Sequence, residues 1–461
     1  MGKLKKYRLY ILIIFAIIVL CVFWFSLPTP LFSDSTCTII TDSRGELLDA
    51  TIAKDGQYRF PLSDSIPNKL ERCIVTFEDK HFYKHPGVNP FSIARALYQN
   101  IKNHKIVSGG STISMQVIRL ARKGQSRSIK EKLIEMILAL RLEISYPKKE
   151  IIKLYASNAP YGGNVVGIDA AAWRYYGRGA HELSWAEAAS LAILPNAPSI
   201  IFPGKNQQAF FQKRNRLLKT LYKEGNIDSL TYTLSLQEPL PDEPKPLPQL
   251  APHLLTRVII EGHSGQSVKT TIDATLQHRI NDIVDNHKQK LEANSIHNIA
   301  VLVVEVETGR TLAYIGNTNP KNIENGKSVD IIKSSRSTGS ILKPFLYSAM
   351  LSDGLILPNT LIPDIPTQIG GYSPKNYYPT YDGAVPASRA LARSLNVPAV
   401  RMLQSYGVAK FHYVLNKIGL TTINRPPENY GLSLILGGAE ATLWDLTGVY
   451  SSLARSLNHF H

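Results

Sequence analysis

The chain is 461 residues long, enough for about three domains at roughly 150 residues each. Hydrophobic residues make up 44% and charged residues 19%, which excludes a wholly disordered or collagen-like chain. Lys and Arg number 52 against 36 Asp and Glu, a net charge of +16 that attracts anions: nucleic acid, anionic lipid head groups or a phosphorylated substrate. Three cysteines, Cys21, Cys37 and Cys73, are too few for a disulfide scaffold and have no zinc spacing. A Cys37–Cys73 bridge is possible in an oxidising compartment, but incidental thiols fit better.

Leu9 to Leu27 carries no charge, and a membrane span needs roughly 20 apolar residues. Lys3, Lys5, Lys6 and Arg8 precede it, which sets the N-terminus in the cytoplasm. A cleaved signal would have a shorter apolar core and a small-residue cleavage site. Here Ser-Leu-Pro-Thr-Pro follows, so the expectation is an uncleaved single-pass anchor over residues 1–30. The rest of the chain would lie on the outer, periplasmic face of the cytoplasmic membrane, which disfavours nucleic acid as a partner.

Residues 31–236 read mostly as helices. Ser128-Ile-Lys-Glu131 and Ser184-Trp-Ala-Glu187 are capping-box patterns, opening helices that stop before Pro147 and near Pro195. Gln237 to His253 holds six prolines and reads as a semi-rigid connection within a linker over 237–268. In 269–461, Asp273 to Asn294 has helical periodicity. Asn298 to Asn317 reads as two strands turning at Glu307-Thr-Gly-Arg310. The expected fold is multi-domain: a transmembrane helix, a mainly α domain, then an α/β domain.

Phe77 to Gly87 packs acids, aromatics and histidines into one segment, including Glu78, Asp79, Phe82 and His85. A metal on His81 and His85 would need further ligands that the sequence does not reveal. Next, Ser108-Gly-Gly precedes Ser111. A helix from there sets Thr112, Gln116 and Arg119 on one face, and its N-terminus suits a phosphate. Glu135 interrupts an apolar helix, three residues after Lys132, and apolar walls predict a raised carboxyl pKa. Two distant carboxylates flanking a basic anion-binding face suit glycosyl transfer from a phosphate-activated sugar. One carboxylate takes the proton of the attacking hydroxyl, while the leaving phosphate needs cations.

These segments resemble the peptidoglycan glycosyltransferase domain of class A penicillin-binding proteins, glycosyltransferase family 51. The matches are Glu78-Asp79-x-x-Phe82-x-x-His85-x-Gly87, Gly110-Ser-Thr112-Ile-x-x-Gln116 and Lys132-x-x-Glu135. Two more follow: Tyr155-x-x-Asn158 with Gly162, Gly167, Ala170 and Tyr175-Tyr-Gly177, then Glu187-Ala-Ala with Pro195-x-Ala-Pro198. Asn158-Ala-Pro-Tyr-Gly-Gly163 looks like the family's 1C subtype. The resemblance implies a lysozyme-like, mainly helical fold beside the membrane and an inverting polymerisation of lipid II into glycan strands, with release of undecaprenyl pyrophosphate. Glu78 would be the base on the acceptor 4-hydroxyl. Glu135 and Lys132 would assist departure of the pyrophosphate, and Thr112, Gln116 and Arg119 would line the donor site. The resemblance implies no definite cofactor beyond a candidate divalent cation (Mg or Mn) at the pyrophosphate. Two positions depart from the family: Arg119 replaces the usual Lys, and Glu131 the usual Arg, removing a cation from the pyrophosphate side.

Ser340-Ile-Leu-Lys343 puts a hydroxyl and an amine one helical turn apart. To act as a base, Lys343 must lose about 3 units from a reference pKa of ~10.4. Ser394-Leu-Asn396 follows 54 residues after Ser340; Ser456-Leu-Asn458 repeats the pattern near the end. With Thr271-Ile-Asp273 and Arg336-Ser-Thr-Gly-Ser340, this resembles a penicillin-binding transpeptidase domain. Ser340 would be acylated, while Lys343, Ser394 and Asn396 carry protons and hold substrate. Its third element, Lys-Thr/Ser-Gly, does not follow Asn396, so the expectation is a truncated, inactive transpeptidase that takes β-lactams weakly if at all. Rival readings are a lytic enzyme on the same fold and a catalytically dead scaffold or the product of an interrupted gene.

Overall fold

A computed structural model describes residues 2–104, 109–123, 128–196, 198, 200–318 and 324–460. Ser108 and Ala197, each part of a motif above, lie outside the described residues. The chain divides into two units. The first comprises 1–249 and 258–270, the second 250–257 and 271–461.

The first unit is mainly helical. It opens with α1 (Gly2–Trp24) and the hairpin β1 (Ile39–Thr41) and β2 (Leu47–Ala50), then β3 (Tyr58–Arg59). Five helices follow: α2 (Asn68–Glu78), α3 (Pro90–Lys102), α4 (Ile113–Ala121), α5 (Ile129–Ser145) and α6 (Lys148–Asn158). After β4 (Pro160–Gly162) and β5 (Val165–Val166) come α7 (Ile168–Tyr176), α8 (Trp185–Ile193), α9 (Gln207–Lys223) and α10 (Ser229–Gln237). Among the described residues no helix is long and apolar enough to cross a membrane. The apolar helix α1 ends at Trp24, short of the expected Leu27.

Local chemistry accounts for the helix ends. Ser184 Oγ accepts the N–H of Glu187, and Glu187 Oε2 accepts that of Ser184, a complete capping box at α8. At α5 only half of the box forms. Ser128 Oγ accepts the Glu131 N–H, but the Glu131 carboxylate turns to Arg122 Nε at 2.6 Å. The core centres on α8, buried from Ala186 to Ile193. Its alanines let α2 approach closely, which fixes the helix that carries Glu78.

The proline-rich stretch does not simply leave the first unit. Beyond α11 (Pro252–Val258), β6 (Ser267–Lys269) returns as a strand parallel to β1, with Ile39 opposite Ser267, giving the sheet order β2-β1-β6. A second small sheet runs β3-β5-β4.

The second unit holds α12 (Ala274–Glu292), capped by Asp273, whose Oδ1 accepts the Leu276 N–H. The antiparallel pair β7 (Val301–Val304) and β8 (Thr311–Ile315) meets the hairpin expectation. Around α13 (Lys343–Ser352), α14 (Ala387–Ala392) and α15 (Asn396–Tyr406) a second core gathers Leu342, Leu346, Val400, Leu403 and Phe411.

Candidate active sites

Glu78 is the last residue of α2, and α4 runs past it. Gln116 Nε2 donates to Glu78 Oε2 at 2.7 Å. The other carboxylate oxygen, Oε1, is enclosed and accepts no hydrogen bond of full geometry. Burial pushes the Glu78 carboxyl above its ordinary value, and Asp79 adds to that; Gln116, the Tyr155 hydroxyl and Arg119 pull it back. A carboxylate in this state is a stronger base than a solvated one.

Asp79 caps α2 and ties three segments together. Its Oδ2 accepts the Ile113 N–H at 3.2 Å and lies 2.9 Å from His85 Nε2. Gly87 donates to His85 Nδ1 at 3.2 Å, so the ring proton sits on Nε2 and points at Asp79. Phe82 is fully buried, with Lys148 Nζ 4.3 Å from its ring centre. Thr112 is the N-cap of α4: its Oγ1 accepts from Met115 N at 3.2 Å and donates to Gly87 O at 2.5 Å. The side chain is buried and its hydroxyl is spent on the backbone. Gly87 itself (φ +100°) has no room for a Cβ, which would lie 2.7 Å from Ala139 O.

Three residues beyond Gln116 on α4, Arg119 reaches α5. Its Nε and Nη2 donate to the two Glu135 oxygens at 2.8 and 3.0 Å, a bidentate pair. Lys132 Nζ lies 3.3 Å from Glu135 Oε2, and both cations donate to Ser111 Oγ. Burial raises the Glu135 carboxyl, but the Arg119 guanidinium and the Lys132 ammonium more than reverse it, so the group sits below its ordinary value. The sequence expectation of a raised value is therefore corrected: the apolar neighbours are there, but a bidentate guanidinium outweighs them. Glu131, the second departure from the family, is answered by Arg122, which sequence spacing did not single out.

Among the described residues no group of three or more His, Cys, Asp and Glu could hold a metal ion. Both Glu135 oxygens are engaged by Arg119, so these side chains do not fit a resident cation.

In the second unit, Ser340 is exposed in a turn, and α13 begins at Lys343. The ammonium of Lys343 donates to Ser394 O at 2.7 Å, Ser394 Oγ at 3.2 Å and Asn396 Oδ1 at 2.8 Å. Burial lowers its pKa to about 8. Ser394 holds a left-handed backbone (φ +52°), which costs a non-glycine residue about 1–2 kcal/mol. Asn376, unnoticed in the sequence, fixes this loop: its Oδ1 accepts the N–H groups of Asn396 and Val397. A cavity of about 570 Å³ is lined by Ser340, Asn376, Ser394 and Asn396.

Residues 44–222 match the Transglycosylase family, and residues 299–455 match the penicillin binding protein transpeptidase domain. Penicillin-binding protein 1C of Escherichia coli (strain K12) is 37% identical over 430 residues, covering 93% of this chain and 55% of that protein. Penicillin-binding protein 1F of Bacillus subtilis (strain 168) is 28% identical over 421 residues, covering 87% and 57%. Penicillin-binding protein 1B of Haemophilus influenzae is 27% identical over 433 residues, covering 88% and 55%. The chain thus spans little more than half the length of these relatives. It pairs residues that match a transglycosylase domain in the first unit with residues that match a penicillin binding protein transpeptidase domain in the second.

Proposed function

We propose that the first unit is a peptidoglycan glycosyltransferase that polymerises lipid II. The observation that carries this reading is the pairing of unlike carboxylates along α4: Gln116 holds a Glu78 that favours its proton, and Arg119, three residues on, holds a Glu135 that stays ionised. The acceptor 4-hydroxyl gives its proton to Glu78 as its oxygen attacks the donor anomeric carbon. The bond from that carbon to the pyrophosphate breaks with inversion, and undecaprenyl pyrophosphate leaves with the electron pair. The Arg119–Glu135–Lys132 cluster carries a net positive charge and steadies the departing diphosphate. Asp79, His85 and Thr112 shape the loop beneath the site, and Phe82 anchors it in the core.

The substrates carry lipid tails, so the site belongs beside a bilayer. Although no described helix is long and apolar enough to cross a membrane, we take the uncharged run Leu9 to Leu27, which continues past the end of α1, as a single-pass anchor, with the catalytic units on the outer face. Apolar side chains in contact with solvent support this: Leu9 to Trp24 on α1, the row Ile129, Leu133, Ile137, Leu140 and Ile144 on α5, and Phe91, Leu97, Tyr98 and Ile101 on α3. Arg141 joins α1 to α5, donating to Trp24 O at 3.0 Å.

Lipid II incubated with the wild type yields polymer; with Glu78→Gln at equal expression it yields about 100-fold less or none. Polymerisation by Glu78→Gln at the wild-type rate sinks the mechanism. Cleavage of glycan strands without polymer favours a lytic enzyme, and no activity in either protein favours a scaffold. The 461 residues contain no Lys-Thr-Gly or Lys-Ser-Gly. For this chain by itself we propose that Ser340 is acylated weakly or not at all.

A further inference from the structure

Two enclosed polar atoms at the base have no well-aligned partner. Glu78 Oε1 and Tyr155 Oη are both shut off from solvent, and neither makes a hydrogen bond of full geometry among the described residues, although the hydroxyl lies near enough to the carboxylate to pull on its proton affinity as a donor. Tyr155 sits on α6, which packs against α4, and only 1% of it is exposed. A buried hydroxyl without a well-aligned partner costs stability; phenylalanine would fill the same space without it.

We propose that Tyr155 is the positioning residue of the base: its O–H is held in reserve for Glu78 Oε1, so that Oε2, bonded by Gln116, is the oxygen that takes the acceptor proton. The inference rests on Glu78 being that base. The enclosed Oε1 is closed to an incoming sugar, and a donor on it keeps the carboxylate ionised and aimed.

Every titratable or charged group facing Glu78 fits this assignment. Asp79, next to it in the chain, raises its proton affinity; Arg119 on α4 lowers it. Tyr161 acts from further off, its hydroxyl donated to Ala156 O at 3.2 Å. Burial and the Glu78 charge drive ionisation of Tyr155 well above its ordinary range. The phenol therefore keeps its proton through the reaction and donates without relaying.

The test is the pH profile of kcat/KM for lipid II polymerisation, measured with the full chain for wild type, Tyr155→Phe and Glu78→Gln. In Tyr155→Phe the acid limb moves to higher pH. Activity on that limb drops about tenfold, while the alkaline plateau stays within about threefold of wild type. Ring-fluorinated tyrosine at position 155 keeps the shape and strengthens the donor, so the limb moves the other way, which covers the case of a poorly folding Phe variant. An acid limb that stays put in both variants, with Glu78→Gln inactive, overturns the role of Tyr155 alone. A Glu78→Gln enzyme that polymerises normally overturns the reading beneath it.

Discussion

Replacing Arg119 by methionine keeps the length of the side chain and removes the cation that grips Glu135. Two limits bracket the effect. Exposed ion pairs contribute about 0–1 kcal/mol, while stripping one partner from a buried pair costs about 3–5 kcal/mol. Here the Glu135 side chain is 7% exposed and that of Arg119 28%, and Lys132 remains at 3.3 Å. The loss at neutral pH should be about 2 kcal/mol, between those limits. For a domain of this size that lowers the melting midpoint by about 4–8 °C. The sign of the pH dependence follows from the depressed Glu135 pKa. The pair's contribution is present above the unfolded carboxyl value of about 4.3 and fades as pH falls through the lower folded value. Wild type and Arg119→Met should therefore converge in acid. Circular-dichroism melts of the detergent-solubilised chain at neutral pH and at about pH 3 read both arms. Equal midpoints at neutral pH, or a gap that persists in acid, would refute the argument. Arg119→Lys keeps the charge, loses the fork, and should cost about 1 kcal/mol.

Asp49 on β2 is 3% exposed and its Oδ2 accepts nothing; burial raises its pKa to about 7. Between about pH 4 and that value the unfolded chain gives up a proton the folded one keeps, so stability falls as pH rises. Asp49→Asn should gain about 1–3 kcal/mol at about pH 8 and nothing at about pH 4, measured by the same melts; an equal gain at both would contradict the burial argument. Thr112→Val removes the cap of α4 and the donor to Gly87 O, and should lower stability by about 1–2 kcal/mol in a denaturant titration. A fluorescent penicillin should label the chain far below one equivalent. Any labelling of Ser340 should rise as Lys343 sheds its proton near pH 8 and vanish in Lys343→Met; full labelling at neutral pH would show a working site.

Helix caps and faces were legible because they are local. Ser128, Ser184 and Asp273 sit where their side chains meet free N–H groups, and i, i+4, i+7 spacing puts Gln116 and Arg119 on one side of α4. Spacing does not say what a distant helix brings to that side. The bidentate grip of Arg119 on Glu135 reverses the expected shift, and the Arg122–Glu131 pair crosses a segment with no regular spacing. In the second unit, i, i+3 proximity suggested that Lys343 meets Ser340. The turn before α13 instead sends the ammonium to Ser394 and Asn396, whose loop supplies three acceptors. Tyr155 carried two signals: it opens the match Tyr155-x-x-Asn158, and its hydroxyl interrupts the apolar stretch Ile151, Ile152, Leu154 and Ala156 of α6; neither says which carboxylate it meets.

The return of β6 to β1 has a consequence for synthesis. Gly265 N donates to Thr38 Oγ1 across 227 residues, and Thr270 Oγ1 donates to Thr41 O. At roughly 5–20 residues per second, a ribosome needs about 10–45 s after making β1 to deliver that neighbour. Until then the nascent protein shows an open strand edge that a chaperone could grasp. A fragment stopped at the proline-rich stretch would carry the same exposed edge permanently.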